Sequence, residues 1–219
     1  MDLFIPNGPG PLWEHELRYA LRSWHKYGNI DRVFILGWKP WWIRNVEHFP
    51  FPDGGGPCNL NTLSKLAGVV FQTDISDRFI YSHDDIYLLK PFREVHEHCA
   101  GDYRRSRLHR EAFENAVKAV GRPGVLDYEL HKPVVLEKDK VQQVIETIHE
   151  RNIAFRTVYF NKIRVPSVPV GDVKLMSWRE PPEDWSCFSL GPQVAMDRNF
   201  REWIKRRYPD PSPWEIEEL

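Results

Sequence analysis

Arg78-Phe79-Ile80-Tyr81-Ser82-His83-Asp84-Asp85-Ile86-Tyr87-Leu88-Leu89-Lys90-Pro91-Phe92 decides the reading of this chain. It opens with an aromatic and β-branched run that predicts a strand buried in a sheet. Asp84 and Asp85 follow at once, and a second apolar run ends at Pro91. Two carboxylates at the end of a buried strand are costly unless positive charge meets them. Open α/β sheets bind their ligands in the crevice beyond the carboxyl ends of the strands. A divalent cation carrying a phosphorylated ligand satisfies both conditions. Capping of a following turn or helix accounts for the pair as well, and these residues alone leave both readings open.

Upstream, the pattern alternates. Asp2 to Pro6 predicts a first strand, broken by the turn Asn7-Gly8-Pro9-Gly10-Pro11. A Gly-rich turn after a first strand commonly receives phosphates or a base, although this one is neither GxGxxG nor a phosphate loop with its lysine. Trp13 to Tyr27 predicts a helix, with Leu17, Ala20, Leu21 and Trp24 on one stripe. Glu14, Arg18, Arg22 and Lys26 form a polar row at spacing four. Arg18 and Arg22 are either solvated or paired there, or they reach a diphosphate. Asp31 to Leu36 is a second strand ended by Gly37, followed by Trp38-Lys39-Pro40-Trp41-Trp42, a lid or a packing plug. After Gly54-Gly55-Gly56-Pro57, a helix is expected from Asn59 or Asn61, with Leu63, Leu66, Ala67 and Val70 inward. Such alternation argues for an α/β fold built on a mainly parallel sheet flanked by helices.

Downstream, a helix is expected over 104–120 and another over 138–151, separated by Leu130 to Leu136. The alternation from Ile153 to Val170 predicts one or two strands, and Ser186 to Leu190 another. A final helix runs from about Gln193 to Arg207, ahead of the tail Tyr208-Pro209-Asp210-Pro211-Ser212-Pro213-Trp214-Glu215. One domain over 1–219 with an embellished C-terminal half is the simplest organisation.

The formal net charge of −1 gives no global drive toward nucleic acid or an anionic membrane. Basic runs are short: Arg104-Arg105-Ser106-Arg107 and Lys205-Arg206-Arg207. Nine Trp and 18 Pro imply rigid loops and aromatic surfaces able to stack on a sugar or a base, although core packing explains most tryptophans. Cys58, Cys99 and Cys187 show neither a disulfide framework nor zinc spacing, which fits a reducing cytoplasm. No segment approaches the ~20 apolar residues of a membrane span.

Several segments together resemble the Stealth family of sugar-phosphate transferases and, more broadly, GT-A glycosyltransferases with their Rossmann-like sheet. Glu16-Leu17-Arg18-Tyr19-Ala20-Leu21-Arg22-Ser23 is similar to the family's ELRYSLRS, and Ile35 to Trp42 to the strand and Pro-Trp that follow it. Asn61 and Phe79-Ile80-Tyr81-Ser82-His83-Asp84-Asp85 resemble its Asn-containing helix start and FIYxNDD strand. His131-Lys132-Pro133 resembles its His-x-Pro, and the tail resembles its FPxPSxFE. Only Ile5-Pro6-Asn7-Gly8 represents the family's opening segment, His83 stands where it often has Asn, and near Gly191 its Asn-Asp is missing.

The resemblance implies a nucleotide-sugar-dependent transferase whose donor half is about 1–92 and whose acceptor half is about 93–219. Asp84 and Asp85 would hold Mn²⁺ or Mg²⁺ on the donor diphosphate, because hard cations take carboxylate and phosphate oxygens. Asn7, Gly8 and Asn61 would stand near the nucleotide, with Arg18, Arg22 and Lys65 supplying positive charge. His131 would be the general base for an acceptor hydroxyl, its ordinary pKa of ~6.5 suiting proton transfer near neutrality. Attack at the anomeric carbon makes a glycosyltransferase, toward which the generic GT-A strand leans; attack at phosphorus makes a sugar-1-phosphate transferase. Glycosylation of a hydroxylated base in DNA, and a non-catalytic glycan- or nucleic-acid-binding module, are the rivals.

Overall fold

All six residues of the first strand, β1 (Asp2–Asn7), are buried, as expected of a strand covered on both faces. The computed structural model describes residues 1–9, 13–54, 58–100, 107–150 and 152–216. After β1 come α1 (Trp13–Tyr27), β2 (Val33–Gly37), β3 (Glu47–Phe49), α2 (Cys58–Gln72), β4 (Arg78–Tyr81) and β5 (Ile86–Leu88). Next are β6 (Glu97–Cys99), α3 (Arg107–Val120), β7 (Val134–Glu137), α4 (Lys138–Glu146) and α5 (Phe155–Ile163). The chain continues through β8 (Val168–Val170), β9 (Lys174–Leu175), β10 (Cys187–Leu190), α6 (Pro192–Ala195) and α7 (Arg198–Arg207).

The main sheet has the order β3-β2-β1-β4-β7, parallel throughout except for β7 at one edge. Leu3 lies beside Val33 on one side and Ile80 on the other, so β1 is central and β4 delivers its carboxyl end next to that of β1. Alternate side chains serve two cores. Phe4, Phe34 and Phe79 pack with Leu66, Val69, Val141 and Val158 from α2, α4 and α5. Leu3, Ile5 and Ile80 pack with Leu17, Leu21 and Trp24 from α1. A smaller sheet, β5-β10-β9, follows directly from β4 through the Asp84–Asp85 turn. Gly37 is obligatory at the end of β2: its φ is +116°, and a Cβ there would lie 1.9 Å from the Asn7 carbonyl oxygen.

The structure departs from the sequence expectations in the second half. Residues 155–163 are helix α5, not strand. Phe155 through Asn161 are all buried, so the helix has no polar face to mark a 3.6-residue period. The expected last helix is two, because the Asp197 carboxylate accepts from the backbone N–H groups of Asn199 and Phe200 and caps α7 afresh. α4 ends at Glu146 rather than at 151. Strand β3 had no counterpart in the sequence reading. Gly10 and Pro11, Gly55 to Pro57 and Arg104 to Ser106 lie outside the described residues. The Trp38–Trp42 loop is divided: Trp42 is a buried plug under the Arg18 guanidinium, whereas Trp41 is 69% exposed.

Candidate active site

Asp84 and Asp85 form the turn between β4 and β5. The Ser189 hydroxyl, on β10, donates to Asp85 Oδ2 at 2.6 Å, and Lys174 Nζ, on β9, stands 3.9 Å from the same oxygen. Burial, reinforced by the neighbouring Asp85 carboxylate, pushes the Asp84 carboxyl up to about 7. Glu16 of α1 feels the same field. Burial, with Asp84 and Asp85 adding repulsion, pushes it up to about 8. Close by, the Tyr87 hydroxyl is buried without a hydrogen-bond partner among the described residues. Three acids thus share one poorly compensated region, the condition that shifts carboxyl pKa values upward at sites.

A cavity of about 350 Å³ opens on the pair, lined among others by His83, Asp84, Asp85, His131, Arg156 and Lys174. His131 Nδ1 lies 2.7 Å from Asp172 Oδ2, and the His131 backbone N–H donates to Asp172 Oδ1 at 2.9 Å. Asp172 therefore grips both ring and main chain. An Nδ1–H donated to this carboxylate leaves Nε2 as the lone-pair nitrogen, the arrangement of an oriented general base. His83 differs. Burial, with Arg156 and His131 adding positive charge, holds its pKa well below the ordinary value, so the ring stays neutral. Arg156 enters from the first turn of α5; its Nε donates to Glu129 Oε2 at 3.2 Å and its Nη1 to the Lys132 carbonyl at 3.1 Å.

No family model matches the chain. An exopolysaccharide phosphotransferase of Nocardia farcinica is 24% identical over 267 aligned residues, covering 91% of this chain and 52% of that protein. The capsular polysaccharide phosphotransferase SacB of Neisseria meningitidis serogroup A is 28% identical over 144, covering 58% of this chain and 25% of SacB. The chain thus spans about half or less of the length of these curated relatives. Among solved structures, the galactosyltransferase LgtC in complex with donor and acceptor sugar analogs matches with a TM-score of 0.53 at 13% identity, covering 95% of this chain and 94% of LgtC. The fold is that of a GT-A glycosyltransferase. In sequence, the resemblance to polysaccharide phosphotransferases stands.

On this GT-A sheet, Asn7, Gly8, Asn61 and Lys65 gather at the carboxyl ends of β1 and β2, beside the cavity rather than lining it. Lys65 Nζ donates to the Asn7 carbonyl at 2.7 Å and lies 2.7 Å from Asp53 Oδ1, an ion pair without hydrogen-bond alignment. Lys65 nonetheless bears on Asp84, where its charge favours the ionised carboxylate. Asp53 Oδ2 would touch a Cβ at Gly8 at 3.2 Å, so the glycine admits this carboxylate. Asn7 donates to the Trp38 carbonyl at 2.8 Å, while its Oδ1 is buried without a partner among the described residues. Asn61 sits inside the first turn of α2 and accepts from the Gly54 backbone N–H, so it fixes the preceding loop rather than capping the helix.

Arg18 and Arg22 are a correction: the structure does not bring them to the donor side. Arg22 forks onto Glu215 at 2.9 and 2.8 Å and also donates to the Tyr208 and Pro209 carbonyls. Arg18 lies 3.8 Å from Glu215 and over Trp42. Glu215 is 2% exposed, and Arg22 holds its carboxyl below the ordinary range despite burial. These guanidiniums are held by the tail because a buried carboxylate needs them.

Four residues escaped the sequence reading. Ser189 stands on Asp85 close to Gly191, where an Asn-Asp was missing. Lys174 and Asp172 come from a segment with no regular pattern. Arg156 was hidden by the strand expected over its helix. Its one signal was a lone charge inside an apolar run.

Proposed function

We propose that this chain transfers a sugar-1-phosphate from a nucleotide-diphosphate sugar to an acceptor hydroxyl, with a polysaccharide or related glycan as acceptor. One observation carries this: His131, oriented by Asp172, lines the same cavity as Asp84 and Asp85. A base and an acid pair across one pocket suit deprotonation of a hydroxyl on one side and binding of a phosphorylated donor on the other.

The donor set fits a divalent cation. Asp84 and Asp85 offer oxygen donors, and a cation there would relieve the burial and mutual repulsion that raise the Asp84 carboxyl. Among the described residues, no group of three or more His, Cys, Asp or Glu side chains is placed to hold a metal. Donor phosphate and water would therefore complete the shell. Mn²⁺ or Mg²⁺ bound there supplies charge neutralisation on the leaving nucleotide.

His131 Nε2 takes the proton of the acceptor hydroxyl, and Asp172 stabilises the resulting imidazolium at Nδ1. Arg156 and Lys174 face the non-bridging oxygens of the transferring phosphoryl group, where positive charge lowers the barrier most. His83, held neutral, adds a hydrogen-bonding group without a further charge. Asn7, Gly8, Asn61 and Lys65 shape the nucleotide end of the donor site, with Asp53 holding Lys65 in place. Cationic groups around the acceptor base favour phosphorus over the anomeric carbon, as do the names of the sequence relatives.

Transfer of the sugar alone is the second reading, favoured by the LgtC-like fold. A donor labelled separately in its sugar and in the β-phosphate separates the two. Both labels arriving on the acceptor is the expected result; sugar label alone overturns phosphoryl transfer. Binding of a glycan with no turnover of any donor, unchanged in Asp85→Ala, would reduce the chain to a non-catalytic module.

A further inference from the structure

A second cavity, of about 380 Å³, is lined by Lys132 and Pro133, next in the chain to His131, and shares no lining residue with the cavity at Asp84 and Asp85. Its volume falls in the ~300–1,000 Å³ range of small-molecule sites. The floor is apolar: Leu88 of β5 and its register partner Cys187 of β10, with Pro91, Phe92 and Pro133. Burial pushes the Cys187 thiol up to about 11, so the floor carries no charge near neutrality. Val95 lies at the rim, 53% exposed.

The charged groups of this cavity are three cations, Lys90, Arg93 and Lys132, against one carboxylate, Glu97. Lys132 is satisfied internally, its Nζ 2.6 Å from Glu97 Oε2. Lys90 and Arg93 are not: among the described residues, neither side chain has a hydrogen bond or an ion pair. Two free cations beside an apolar hollow recognise a molecule with an apolar body and an anionic head. The hollow removes the body from water, and the rim charges meet the head where screening is weaker than in open solvent.

We propose that this cavity binds a single-chain anionic amphiphile, its alkyl chain on Leu88, Phe92 and Cys187 and its head group on Lys90 and Arg93. The site stands apart from the transferase reading and shares no side chain with it.

Calorimetric titration of the full chain with decyl phosphate, below its micelle concentration, tests this. Saturable one-to-one binding is expected, roughly tenfold or more weakened by Lys90→Glu with Arg93→Glu and by Val95→Glu, which puts a charge at the mouth. All three positions are exposed, so thermal melting should show that these variants remain folded. Asp85→Asn should leave the affinity unchanged. Inorganic phosphate binding as tightly would reduce the site to an anion patch and overturn the proposal. Decyltrimethylammonium binding as tightly would remove the role of charge and overturn it. Weakening by Asp85→Asn, with the rim variants silent, would place the amphiphile in the active site. Adsorption to anionic vesicles without one-to-one decyl phosphate binding would make the surface a membrane contact, which also overturns it.

Discussion

Buried charge is handled in opposite ways at two places on α1. Around Glu215, each oxygen is matched: Arg22 forks onto it, and the Ser212 backbone N–H and hydroxyl donate to Oε1 at 2.8 and 3.0 Å. Around Asp84 and Asp85, three acids counting Glu16 are met by the Ser189 hydroxyl, by Lys174 at 3.9 Å and by the more distant charge of Lys65. The first arrangement holds the tail to the body of the protein. The second leaves a deficit of positive charge that a ligand complex can fill. Charge compensation, more than the presence of charge, separates architecture from site here.

The sharpest way to break the contrast is to unpair the first cluster. Arg22→Ala leaves the buried Glu215 with only Ser212 and the more distant Arg18 guanidinium to meet its charge, and urea unfolding should report a loss of about 3 kcal/mol. Arg22→Met combined with Glu215→Leu should recover most of it. Asp85→Asn should do the reverse: turnover falls by ~10³-fold, the several kcal/mol a bound cation contributes, while the melting temperature of the metal-free protein holds or rises. A large loss of stability there would show the acids to be structural after all.

Asp172→Asn keeps the shape but favours the wrong His131 tautomer, and should cost about 100-fold in kcat. The discriminating readout is the acidic limb of the pH–rate profile, where a general base is lost to protonation; a purely structural role would not displace it. The smallest effect concerns Glu16. Its folded-state pKa, about 8, lies above the ordinary 4.5, so the folded protein retains a proton that the unfolded chain releases. That stability is complete below pH 4.5 and is lost as pH rises through 8. Chelator-treated protein should therefore unfold more easily at pH 8.5 than at pH 5.5. Glu16→Gln should flatten that slope and raise stability at pH 8.5 by ~1 kcal/mol or more.

The parallel half of the fold was legible in residue order. The strands expected over 2–6 and 31–36 and the helix over 13–27 carry strong local patterns, and they appear at 2–7, 33–37 and 13–27. Asp84, Asp85 and His131 line one cavity. Arg18 and Arg22 were misplaced because their partner lies 193 residues beyond Arg22, and no local pattern reports such a pairing. Arg156 was missed because its helix is buried on all sides, which erases the amphipathic period. Asp172 sits in irregular chain and Lys174 opens the two-residue strand β9, both too short of local pattern to show their partners.

The Arg22–Glu215 fork also sets a timetable for the nascent chain. Translation at about 5–20 residues per second separates its two halves by roughly 10–40 s, given their sequence separation of 193. During that interval the first helix carries a guanidinium whose buried partner does not yet exist. The amino-terminal strands can collapse on their own hydrophobic faces, but α1 cannot settle fully until Glu215 emerges. Vectorial synthesis therefore delays the final packing of α1, which also bears Glu16, until the tail closes on it, and ribosome-stalled chains lacking Glu215 should show α1 exposed to proteolysis.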